Sequence, residues 1–489
     1  MAAEPAGAGE EHLMMAGSVG VGRRLAVAGT AAMLALAWPT GTATAITPPA
    51  IDPHAVPADG EPGPDEPMKQ RYECPANALL PGTDVAVPPA AQTFMSLPEL
   101  WKSAGRGAGV TVAVIDTGVW PSPRLPHLRG GGDYVMGGDG LSDCDTHGSV
   151  VASIIGASPA EGDGLVGVAP EAEILSIRQS SGMFTRERGS NDDDARAGTV
   201  STLARAIVHA ANSGARVINM SIVSCVPVTK PVDQTTLGAA VRYAAMEKDV
   251  VLVAASGNVT ASANAPGMPM GTGCAQNPNI DATNVGDPRN WENVVTISTP
   301  SWFSDYVLSV SATDERGQPA QTTEGADISL AGPWVGVGAP GLFVEGVNPA
   351  GGVINATMDP QTNQLKPMSG TSFAAAYVSG LAALIRAKYP DLPAAQVINR
   401  IKQTAHSPAA VVDNRLGYGV IDPLAALNFD VPEIPAPREN LTRPLGPPLP
   451  PPPPDHRPMI VAVAGSATLL LVLAVVLLVK SMSKSRREQ

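Results

Sequence analysis

The sequence predicts an α/β fold of three layers, a mainly parallel central sheet covered by helices on both faces, with one transmembrane helix near the C-terminus. Three observations carry that expectation. Between about residues 90 and 429, short β-branched runs alternate with Ala-rich helical stretches, the rhythm of strands joined by crossover helices. The chain of 489 residues is 44% apolar and 16% charged, enough to bury one large core. From Met459 to Val479 no charge interrupts an apolar stretch, whose length matches the roughly 20 residues needed to cross hydrocarbon.

Each segment follows in order. Arg23-Arg24 precedes the apolar run Leu25 to Trp38, and Ala43-Thr44-Ala45 has the small-x-small form of a cleavage site, so residues 1–45 read as a secretory signal. Residues 46–89 are rich in Pro, Ala and acidic side chains and lack any apolar period long enough for a domain, which makes them an extension. Within the domain at 90–429, strands are expected at Val110 to Ile115, Ile174 to Ile177, Val217 to Met220, Val250 to Ala254, and Val294 to Ser298 or Val307 to Val310. Ser180 to Thr199 and Ser262 to Asp287 read as surface insertions. The run Asp192 to Asp194 in the first fits a solvated charged loop better than any calcium loop, so neither a metal nor a cofactor is expected. Pro dominates 430–458, a stiff polyproline II spacer. The span at 459–479 is followed by Lys480, Lys484, Arg486 and Arg487, which puts the tail at 480–489 in the cytoplasm and the rest outside a single-pass cell-membrane anchor.

Net charge is -13 with no basic stripe interleaved with aromatics, which excludes nucleic acid as a partner. Cys74, Cys144, Cys225 and Cys274 all fall in the external part. An even number in an oxidising compartment reads as two disulfides, for which the sequence permits three pairings.

Three segments carry chemistry. Val-Ala-Val-Ile-Asp116-Thr-Gly puts a carboxylate at the carboxyl end of a buried strand, where open α/β sheets place their sites. Asp145-Thr-His147-Gly puts a histidine between a turn and an apolar helix; His54 and His456 lie in Pro-rich arms, and His127, His209 and His406 have no motif around them. Gly-Thr-Ser372-Phe-Ala-Ala starts a buried helix with a serine, beside free N-H groups and the positive end of the dipole. A hydroxyl there can attack a carbonyl while a histidine takes its proton and an aspartate fixes the imidazole tautomer. In isolation each segment has a plainer reading, a turn cap for Asp116 or an N-cap for Ser372.

Together, in the order Asp, His, Ser, they resemble the subtilisin family of serine proteases, whose motifs also match Ala-Ala-Ser-Gly-Asn258. The resemblance covers about residues 90 to 429 and implies a subtilisin-like fold and an Asp116, His147, Ser372 triad. It also implies that the Asn258 amide is an oxyanion donor, and that Ser221, Ile222 and Val223, with Ala254, Ala255, Ser256 and Gly257, line a groove for an extended peptide. The chain departs from the commoner pattern at Val150, Ser153, Ala376 and Val223-Ser224-Cys225. Signal, Cys-bearing extension, Pro-rich spacer and single span are similar to the mycosins, membrane-bound proteases of type VII secretion systems. That likeness implies pairs Cys74–Cys144 and Cys225–Cys274, and exported proteins and a secretion membrane complex as partners. The extension, about 45 residues with no βαβ pattern, is too short and irregular for an inhibitory prodomain and is expected to wrap around the domain. A structural subunit of that complex is the alternative reading; an esterase is disfavoured because no Gly-x-Ser-x-Gly elbow surrounds Ser372.

Overall fold

A computed structural model describes residues 46–188, 196–230, 232–259, 274–359, 363–433 and 470–477. The proposed signal, the acidic run Asp192 to Asp194, the first part (262–273) of the Ser262 to Asp287 insertion, nearly all of the Pro-rich spacer and most of the expected span lie outside them. Residues 470–477 are helical with exposed apolar side chains. Among the described residues, no helix is long and apolar enough to cross a membrane.

The extension contributes β1 (Met68–Gln70) and β2 (Asn77–Ala78), and the domain opens with α1 (Ala90–Met95) and α2 (Leu97–Ala104). Then come β3 (Thr111–Asp116), β4 (Leu128–Asp133), α3 (His147–Gly156), β5 (Glu173–Arg178), β6 (Ser181–Arg186) and β7 (Arg196–Ala197). These are followed by α4 (Val200–Asn212), β8 (Val217–Met220), β9 (Ser224–Pro227), α5 (Thr235–Arg242), β10 (Val251–Ala255), β11 (Thr296–Thr299), β12 (Val307–Thr313) and β13 (Val335–Pro340). The domain ends with β14 (Gly346–Val347), β15 (Val353–Ile354), β16 (Ala356–Met358), β17 (Leu365–Pro367), α6 (Thr371–Lys388), α7 (Ala394–Gln403) and α8 (Pro423–Asn428).

The central sheet has seven strands in the order β13-β12-β10-β8-β3-β5-β4, and every pairing in it is parallel. Side chains alternate across a strand, so a strand buried on both sides must be apolar throughout. In β3, Val112 and Val114 join the core beneath α3 and α6, while Ala113 and Ile115 join the core beneath α4 and α5. Every residue of α6 from Thr371 to Arg386 is buried, which explains its lack of a polar face.

Of the two alternatives at 294–310, Val307–Thr313 enters the central sheet. Thr296–Thr299 instead pairs antiparallel with β9, in a separate two-stranded sheet. The edge strands Leu128–Asp133 and Val335–Pro340 escaped the sequence reading, because glycines interrupt both and neither is a β-branched run.

The extension lies on the domain without forming a core of its own. Ile51 is buried in the α4/α5 core, Asp59 meets His209 at 2.8 Å and Asp65 meets Arg205 at 2.8 Å. β1 then adds antiparallel to β6 and β2 adds antiparallel to β16. Both disulfides pair as the resemblance implied, Cys74 with Cys144 and Cys225 with Cys274.

Candidate active site

β3 delivers Asp116 fully buried at its carboxyl end, and α3 begins at His147. Two glycines let these segments meet. Gly118 holds φ +99°, and a Cβ on it would lie 2.1 Å from the Ser142 carbonyl oxygen; a Cβ on Gly148 would lie 2.2 Å from the Gly118 carbonyl oxygen. The Thr-Gly and His-Gly pairs in the two motifs are therefore packing requirements. The result is a 2.7 Å contact between His147 Nδ1 and Asp116 Oδ1, which fixes Nδ1 as the protonated nitrogen and leaves Nε2 to accept. Thr117 N-H donates to the same carboxylate oxygen at 2.8 Å. The Phe373 ring packs against the imidazole with centroids 5.3 Å apart.

Behind this couple sits Asp143. It accepts hydrogen bonds from Thr117 Oγ1 at 2.9 Å, Asp145 N at 3.0 Å, Ser149 N at 2.9 Å and Ser149 Oγ at 2.7 Å. Because Ser149 stands in the first turn of α3, Asp143 caps that helix, while Thr146 before it makes no side-chain cap and is held at φ +70°. Burial pushes the Asp143 carboxyl up to about 7, against the hydrogen bonds from Ser149 and Thr117. Burial also disfavours a charged His147, but Asp116, by charge and hydrogen bond, together with Asp143 and Asp145, outweighs it and holds the imidazole above its ordinary range.

Ser372 is the second residue of α6 and buried. Its hydroxyl donates to the Ser221 carbonyl at 3.0 Å, and Ser221 Oγ donates to the Ser372 carbonyl at 2.8 Å. His147, Ser372 and Asn258 line one cavity of about 240 Å³, with Val150, Met368 and Phe373 as its apolar wall. Asn258 Oδ1 accepts from Thr371 N and Thr371 Oγ1, both at 3.0 Å, which leaves the Asn258 amide N-H groups uncommitted by these bonds at the start of α6.

A second cavity of about 580 Å³ adjoins His147 on the other side. Ile222 and Val223 line it, with Ser180, Ser181 and Gly182 across from them. Of the expected groove residues, Ser221, buried against Ser372, lines neither cavity, nor do Ala254 and Ala255, buried in β10, or Ser256 and Gly257, buried just after it. Asp143, Thr117 and the groove residues Ser181 and Gly182 were missed from sequence; the only signal was an Asp four residues before the motif histidine. Among the departures, Ser153 is buried and bridges α3 to β14, accepting from Val347 N at 3.1 Å, and Ala376 is buried within α6 with no disturbance of the helix start. Among the described residues no group of His, Cys, Asp and Glu could hold a metal.

Comparison with known proteins agrees with this geometry. The Subtilase family signature (Peptidase_S8) matches residues 107–419. The chain is 45% identical to Mycosin-3 of Mycobacterium tuberculosis over 87% of this chain and 91% of that one, and 47% identical to Mycosin-1 of the same organism over 83% and 88%. Its fold superposes on the crystal structure of MycP1 from the ESX-1 type VII secretion system with TM-score 0.74 and 44% identity, covering 81% of this chain and 100% of that one. A chain in the structure of an intact ESX-5 inner membrane complex matches with TM-score 0.72 and 49% identity, covering 88% and 99%. The signature spans well over half of the chain and coincides with the parallel sheet and the cavity at its carboxyl edge: the chain belongs to the subtilase family and is a serine endopeptidase of the subtilisin type.

Proposed function

We propose that this endopeptidase works through Asp116, His147 and Ser372, with Asn258 as an oxyanion donor, and acts on exported proteins at the outer face of the cell membrane as part of a type VII secretion system. The observation that carries this reading is the convergence of Asp116-bound His147, Ser372 and Asn258 on one cavity. When substrate enters, the Ser372 hydroxyl turns from the Ser221 carbonyl to His147 Nε2, which takes its proton as Oγ attacks the scissile carbonyl. The oxyanion is held by the Ser372 N-H and the Asn258 amide, the protonated His147 gives its proton to the leaving amine, and water deprotonated by His147 releases the acyl group.

Sequence features at both ends support the location: a signal at 1–45 and a spacer and span at 430–479 would hold the domain outside a single-pass anchor. The presence of a 49% identical chain in an ESX-5 inner membrane complex favours a second role, as a subunit that stabilises such a complex.

The test pairs Ser372→Ala with assays of cleavage and of export in cells lacking the native protein. Loss of cleavage with continued export separates chemistry from scaffolding. Unchanged cleavage sinks the proposed nucleophile.

A further inference from the structure

Resting on the protease reading, we infer that Asp145 selects a basic residue, lysine or arginine, at the second position on the acyl side of the scissile bond. Asp145 lines both cavities that flank His147, and among the described residues none of the others lining either cavity is a lysine, arginine or acid. Among the described lining residues Asp145 is therefore the one carboxylate, with no lysine or arginine beside it; burial, the largest influence, raises its carboxyl above the ordinary range against the hydrogen bonds from Ser181 and Gly182, so the negative charge is in place above that raised value.

The carboxylate is held in place rather than swinging free. Its oxygens accept from Gly182 N at 2.7 Å and from Ser181 Oγ, and Cys144 beside it is tied to Cys74. Both of those partners are neutral, so the two bonds orient the charge without cancelling it. The nearby cation is Arg178, which is buried behind the wall and matched by Asp133 at 3.2 Å. The Asp116 carboxylate, paired with His147, is a further acid close to the cleft. A half-buried site between two cavity walls screens an ion pair less than open water does.

Position follows from strand geometry. A peptide laid along Ser221 to Val223 is extended, so successive side chains point to opposite sides. If the residue carrying the scissile carbonyl points down toward the sheet, its predecessor points up, to the His147 side where Asp145 lies. A lysine or arginine at that predecessor meets the carboxylate, a glutamate there is repelled, and an apolar residue gains nothing.

The experiment uses the full-length protein and peptides identical except for Lys, Arg, Leu or Glu at that position, read as the ratio of kcat/KM for each to that for Leu. A roughly fivefold preference for Lys and Arg is expected, the upper range of a partly screened ion pair, with Glu disfavoured and the preference shrinking as salt is raised. Asp145→Asn, which keeps the shape and can still bond Gly182 and Ser181, should bring the ratios to about one. Ser181→Ala, which loosens the loop but keeps the charge, should retain the preference. Ratios near one in the native protein, or a preference that persists in Asp145→Asn, would overturn the inference. Peptidyl phosphonates carrying the same residues give the same ratios as rates of Ser372 labelling, independent of turnover. If no peptide is cleaved and no phosphonate labels Ser372, the protease reading itself falls and takes this inference with it.

Discussion

The Ser372 hydroxyl donates to the carbonyl of Ser221, and the Ser221 hydroxyl donates back to the carbonyl of Ser372. This reciprocal pair joins α6 to the end of β8. It continues inward, since Asn219 Nδ2 donates to Ser221 Oγ at 2.8 Å and Ser379 Oγ donates to Asn219 Oδ1 at 2.9 Å. Ser221→Ala should leave a buried Asn219 amide hydrogen without its acceptor and cost about 1–3 kcal/mol of stability. Urea unfolding at neutral pH measures it; a change within 0.5 kcal/mol, on the order of a surface substitution, would contradict the network.

Asn258→Ala should lower kcat by roughly 10²- to 10³-fold with little change in KM. The magnitude is carried over from subtilisin itself, where one such donor was removed. Because Asn258 also accepts from Thr371 at the start of α6, thermal unfolding must be measured beside the kinetics to separate lost chemistry from a frayed helix.

His147 must be neutral to accept the Ser372 proton, so kcat/KM should rise with pH through its apparent pKa in the free enzyme, above the usual imidazole range. Asp143→Asn removes one of the carboxylates that favour the protonated ring. Its acid limb should therefore move to lower pH, while Asp143→Ala, which also uncaps α3, should lose stability as well. An unmoved limb in Asp143→Asn would mean that Asp143 only packs.

Glu345 is buried beside α3 and α6, and one carboxyl oxygen has no partner among the described residues. Burial first, and then the charge of Asp163, push it from 4.5 to about 7. A carboxyl raised in the folded state stabilises fully below its unfolded value and loses that contribution as pH rises through about 7. Between pH 4 and pH 8 the native protein should lose about 2 kcal/mol relative to Glu345→Gln. Parallel pH profiles of the two proteins would refute the assignment.

The Cys74–Cys144 bridge closes a separation of 70 residues and fastens the extension three positions before His147. Its removal in Cys74→Ser with Cys144→Ser should cost up to about 4 kcal/mol by freeing the unfolded chain. It should also lower kcat, because the loop that carries Asp143 and Asp145 loses its anchor. Scanning calorimetry and peptide hydrolysis on the same samples check both.

Much of this was written along the chain. Apolar period marked the strands that cross the middle of the sheet, and Asp116, His147, Asn258 and Ser372 stood in motifs whose small neighbours record close approach. The edge strands were illegible because glycines interrupt both and leave no continuous β-branched run, even though Val335–Pro340 is buried throughout. Asp143 was illegible because a half-buried capping carboxylate and a solvated one look alike until the helix it caps is folded against it.

By itself, then, the sequence determined the alternation of strand and helix and marked the four groups proposed for the chemistry, since both depend on side-chain polarity and backbone freedom at neighbouring positions. Which strand lies beside which, that Asp145 faces the cleft while Asp143 lies behind it, and that Ser372 is clasped to Ser221 across 151 residues were decided only by tertiary structure. Those relations depend on distances between segments remote along the chain, which are set when the two cores close on the sheet.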